Sequence, residues 1–104
     1  MNPLEHLKSN KNVFFNFMKE DYPLFKHSNL FLRDLQYAIK SYFDMKENPI
    51  NYSQAEKIAR NFAEDLIKTN DVLQIDRKSW KLNFDIGVKQ KVKEPEGVSN
   101  EQFN

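Results

Sequence analysis

Few residues of this chain could do chemistry: His6 and His27, the acidic pairs Glu20-Asp21 and Glu64-Asp65, and single serines. A structural or catalytic metal needs three or four ligands brought together, most often Cys and His at close spacing. There is no Cys, the two histidines lie far apart, and their acidic neighbours lack ligand spacing, so no metal is expected. Neighbouring residues on a helix point about 100° apart. The acidic pairs therefore do not share a site, whereas general acid–base catalysis needs two groups converging in a cleft. Ser9, Ser28, Ser41, Ser53, Ser79 and Ser99 occur in no nucleophile-elbow context. With only two Gly there is no Gly-rich phosphate loop, and no cofactor is implied. These residues predict a binding protein and not an enzyme.

What remains is cationic and amide chemistry. Gln54, Lys57, Arg60, Asn61 and Lys68 fall on one helical face, and Arg77 and Lys78 lie in the polar tetrad Asp76-Arg77-Lys78-Ser79. Arg, Lys, Asn and Gln supply donors to base edges and phosphate oxygens. The same face also carries Glu56, Arg60, Glu64 and Lys68 at i, i+4 spacing, an alternating ladder that satisfies itself in water. A solvated outer face and a nucleic-acid contact both fit this pattern.

These residues are held by a helix running into a hairpin. Ser53-Gln54-Ala55-Glu56 has capping-box spacing, and Ala55, Ile58, Ala59, Phe62, Ala63, Leu66 and Ile67 form one apolar stripe. Asn70 suits a left-handed C-terminal cap. Val72-Leu73-Gln74-Ile75 and Trp80-Lys81-Leu82-Asn83-Phe84 then flank the tetrad as two strands, with Trp80, Leu82 and Phe84 on the face that closes over the helices. Residues 51–86 resemble the C-terminal half of a winged-helix domain. The resemblance implies that Gln54, Lys57, Arg60 and Asn61 approach a DNA major groove while Arg77 and Lys78 touch phosphates.

Upstream, a helical region is expected from Pro3 to Asp21, with Ser9-Asn10-Lys11-Asn12 a weak centre that could divide it. Its second half, Val13, Phe14, Phe15, Phe17 and Met18, is apolar on more than one face. That surplus fits either a helix threaded through the core or one whose extra face, Phe14, Phe15 and Met18, packs on a partner or a second copy. A second helix is expected over about Leu30 to Lys46, capped by Ser28 or Asn29 and ended by Pro49. Tyr37 lies on its polar side and could form a contact patch with Arg33, Lys40 and Ser41.

The expected fold is mostly α with a small β element (α+β): three helices followed by a C-terminal β-hairpin, in one domain over residues 1–86. Its expected core is Phe14, Phe17, Leu32, Leu35, Ile39, Phe43, Ile58, Phe62, Leu66, Ile75, Leu82 and Phe84. Residues 87–104 read as a flexible polar tail. Sixteen basic and fifteen acidic residues leave a net charge of +1, far from the strongly basic profile of many nucleic-acid binders. No secretory pattern or membrane-length apolar run is present, so the expected compartment is the cytoplasm. The partner is then DNA, read by a small regulator that dimerises through its first helix, or a protein bound by the aromatic surface of that helix.

Overall fold

A computed structural model describes residues 2–86. Among these, four helices and three strands make an α+β fold in the order α1 (Pro3–Ser9), α2 (Lys11–Lys19), β1 (Asn29–Phe31), α3 (Leu32–Met45), α4 (Tyr52–Lys68), β2 (Val72–Asp76) and β3 (Ser79–Leu82). The class agrees with the sequence reading. The expected tail, residues 87–104, lies outside the described residues.

Local side chains explain where the helices begin and end. Asn2 caps α1 by accepting from the Glu5 N–H at 3.1 Å, with Pro3 in the first turn. The first helical region breaks at Asn10, whose N–H and side-chain amide both donate to the His6 carbonyl, each at 2.9 Å. The capping box of α4 lies two residues earlier than the sequence suggested. Asn51 accepts from the Gln54 N–H at 2.8 Å, and the Gln54 carbonyl oxygen accepts from the Asn51 N–H at 2.9 Å. Both α3 and α4 end in a Schellman arrangement. For α4, the Asp71 N–H reaches the Leu66 carbonyl (2.8 Å) and the Asn70 N–H reaches Ile67 (3.0 Å), with Asn70 at φ 63°. For α3, Asn48 and Glu47 play these parts, with Glu47 at φ 60°.

The sheet contains a strand the sequence reading did not find. Its order is β1-β3-β2, all antiparallel, so the hairpin is closed by Asn29–Phe31. Leu30 pairs with Trp80 and Phe31 with Ser79. The Leu32 N–H, at the start of α3, donates to the Lys78 carbonyl at 2.8 Å. A backbone group of the hairpin turn thereby occupies one of the orphan donors that a side-chain cap usually takes, because Phe31 has no polar side chain to offer.

The core joins α1–α4 and the inner face of the sheet. Leu7, Phe14, Phe15, Met18, Leu35, Ile39, Tyr42, Phe43, Phe62, Leu66 and Leu82 are sealed within it. Phe14, Phe15 and Met18 are therefore not the partner surface that was one of two expectations. Phe15 stacks on Phe62 (5.8 Å between ring centres) and meets Phe84 edge-on (5.4 Å), while Phe14 contacts Tyr42 (5.4 Å) and Phe62 (5.9 Å). The helix is apolar on several faces because neighbouring elements cover several faces. Phe17, Ile58 and Phe84 pack at the margin. Ile75 is not core but half-exposed, at 51 %. Val72 is the inward residue of β2, so alternation places Leu73 and Ile75 together on the outer face.

Candidate nucleic-acid interface

The residues named for DNA contact lie on α4 and at the hairpin tip, and all are exposed. Their surroundings differ. Gln54 is committed to the capping box by its side-chain oxygen, so it is a structural residue first. Lys57 and Asn61 lie on the outer face of α4. The Arg60 Nε donates to Glu56 at 3.2 Å, the one rung of the expected charge ladder that forms among the described residues. Exposed pairs of this kind contribute about 0–1 kcal/mol, so Arg60 can exchange its partner readily.

At the tip, Asp76 organises the turn. Its carboxylate accepts from the Lys78 N–H and the Ser79 hydroxyl, each at 2.8 Å. These bonds, the Lys78 N–H foremost, hold the Asp76 carboxyl below its ordinary pKa. The Arg77 and Lys78 side chains are left exposed on a fixed turn, with no carboxylate in ion-pair distance among the described residues.

Tertiary structure brings together what the sequence kept apart. An open groove of about 540 Å³ is lined by Arg33 and Asp34 of α3, Glu56 and Arg60 of α4, and Lys78 of the hairpin tip, floored by Phe31 and Leu32. Three cations from three elements thus face one concavity, against two carboxylates. The Leu32–Lys78 backbone bond fixes one side of it. Next to the groove, Tyr37 is 41 % exposed and meets Tyr52 of α4, 54 % exposed, at 5.4 Å. The Gln36 amide donates to the Tyr52 carbonyl at 2.9 Å and ties the start of α4 to α3. Tyr52 and Phe31 were missed by the sequence reading, and only β1 pairing and the α3–α4 packing place them here.

No group of His, Cys, Asp or Glu among the described residues could hold a metal ion, and no described helix is long and apolar enough to cross a membrane. Comparison of the chain with models of protein families, with curated protein sequences and with solved structures finds no match.

Proposed function

We propose that this chain is a non-catalytic DNA-binding module of winged-helix type, in which α4 enters the major groove and the hairpin tip contacts the backbone. The convergence of Arg33, Arg60 and Lys78 on one groove carries this reading, since it joins the helix face to the hairpin tip. The element order supports it: a strand ahead of a helix pair closes onto the hairpin that follows, the winged-helix arrangement. Electrostatics supports it locally although the net charge is only +1. Lys57, Arg77 and Lys78 have no ion pair among the described residues, and an unpaired cation gains most from a phosphate.

Lys57 and Arg60 provide the backbone or base-edge contacts of α4, Asn61 an amide donor, and Arg77 and Lys78 the phosphate contacts of the wing. Because Gln54 is held in its cap, Asn61 is left as the base-reading amide of α4, and Lys57 and Arg60 take the phosphates that flank it. The test is a paired charge reversal, Lys57→Glu with Arg60→Glu. Both side chains are exposed, so the fold should survive and duplex binding should be lost. Unchanged binding by the folded pair would refute the role of α4.

A protein-partner reading has one observation in its favour, and it lies elsewhere than on the first helix. Phe31, Leu73 and Ile75 are about half exposed on the strands, at 48 %, 48 % and 51 %. Exposed apolar residues gathered on a sheet are a common mark of protein contact.

A further inference from the structure

We propose that Arg33, Tyr37 and Lys40 of α3 and Tyr52 at the start of α4 form a phosphodiester-binding strip, so that the backbone of a bound duplex continues from the groove across α3. The proposal rests on the DNA-binding reading and extends its footprint. The Arg33 guanidinium lies 5.8 Å from the Tyr37 ring centre and the Lys40 ammonium 5.2 Å from that of Tyr52. The two rings meet edge to face at 5.4 Å, so the four side chains make a continuous row.

This row differs from a set of surface ion pairs. A carboxylate partner holds a cation in place and cancels its charge; a ring face restrains the cation and leaves the charge available. Arg33 has no carboxylate in ion-pair distance among the described residues. Lys40 has Asp44 at 3.4 Å, an exposed i, i+4 pair of small value. Asp34 and Glu56 are the acids at the Arg33 end of the row, and both line the adjoining groove.

The ring geometry also selects the ligand. Cations already occupy a face of each ring, so stacking of unpaired bases is disfavoured, whereas the two part-exposed tyrosines can offer their hydroxyls to phosphate oxygens. Arg33 and Lys40 are two helical turns apart, about 10.5 Å along the axis, and so address different phosphates. The duplex backbone is therefore the fitting ligand.

The experiment measures binding of a fluorescent random-sequence duplex across a salt series for three proteins: the full chain, Arg33→Gln/Lys40→Gln, and Lys26→Gln/Lys81→Gln as a charge-matched control. Each phosphate contact contributes about 0.9 to the slope of log K against log salt. The strip variant should lose about 1.8 of that slope and the control none. An unchanged slope in the strip variant, or an equal loss in the control, overturns the strip while leaving the DNA-binding reading in place. No binding by the full chain at the lowest salt overturns both. If the double variant is less stable to heat, Arg33→Gln alone carries the test, with an expected loss of about 0.9.

Discussion

Replacing Phe15 decides whether the aromatic surplus of α2 serves the core or a partner. Phe15 is fully buried, stacked on Phe62 and in edge contact with Phe14 (5.3 Å) and Phe84 (5.4 Å). Truncation to Ala removes the transfer free energy of the ring and leaves a cavity between α2, α4 and the segment after β3, and such changes cost about 3–5 kcal/mol. Three lost ring contacts put Phe15→Ala toward the upper end of that range. A domain of this size has a total stability of roughly 4–13 kcal/mol, so a loss near 5 kcal/mol leaves about −1 to 8 kcal/mol and should lower the thermal midpoint by about 20–40 °C. Phe15→Leu fills most of the volume and should cost about 1–1.5 kcal/mol, lowering the thermal midpoint by about 4–12 °C. Unfolding can be followed through the fluorescence of Trp80, the sole Trp, which is buried at 3 % exposure. A Phe15→Ala protein with an unchanged midpoint, and altered self-association instead, would refute the core assignment.

Two further outcomes follow from backbone and charge. Glu47 holds a left-handed conformation (φ 60°) at the end of α3, which costs a non-glycine residue about 1–2 kcal/mol. Part of that is offset by the greater unfolded-state freedom of Gly, so Glu47→Gly should stabilise by about 0.5–1 kcal/mol in urea unfolding; destabilisation would mean that the Glu47 side chain has a role of its own. The Asp76 carboxyl has a folded pKa below its unfolded value, so its contribution is present above the unfolded value of about 3.9 and is lost as pH falls through the folded one. Asp76→Asn should therefore flatten the acid limb of the stability–pH profile below about pH 4, and an identical limb in the variant would argue against the turn bonds.

The stripes of α3 and α4, the hairpin and the left-handed Asn70 were legible because each follows from local periodicity or from one residue's conformational preference. β1 was not. Asn29 reads as a helix cap and Phe31 as the start of the helical stripe that follows, and with Leu30 they become a strand only through pairing with Ser79–Lys81, far along the chain. The α4 cap was ambiguous because Asn51-x-x-Gln54 and Ser53-x-x-Glu56 both have the required spacing, and the bond from Gln36 to the Tyr52 carbonyl belongs to the earlier start. Ile75 was misread because β2 offers an apolar residue to each face, and only the fold shows that Val72 is the inward one, which leaves Leu73 and Ile75 outside. As for the site, the exposed face of α4 and the tip cations could be listed from sequence. Their meeting with Arg33 could not, since it depends on the Leu32–Lys78 bond that draws the tip to α3.

The most direct test of the account is the salt dependence of duplex DNA binding by the full chain, read by fluorescence anisotropy. Four contacts from Lys57, Arg60, Arg77 and Lys78 predict a log–log slope of about −3.6, and the two of the α3 strip would take it to about −5.4. The smaller slope corresponds to a loss of affinity of about 150-fold between about 50 and 200 mM salt. Binding with a slope in that range supports a DNA-binding module. Absence of binding at the lowest salt, or binding indifferent to salt, contradicts it and directs attention to the exposed apolar residues Phe31, Leu73 and Ile75 as a protein contact.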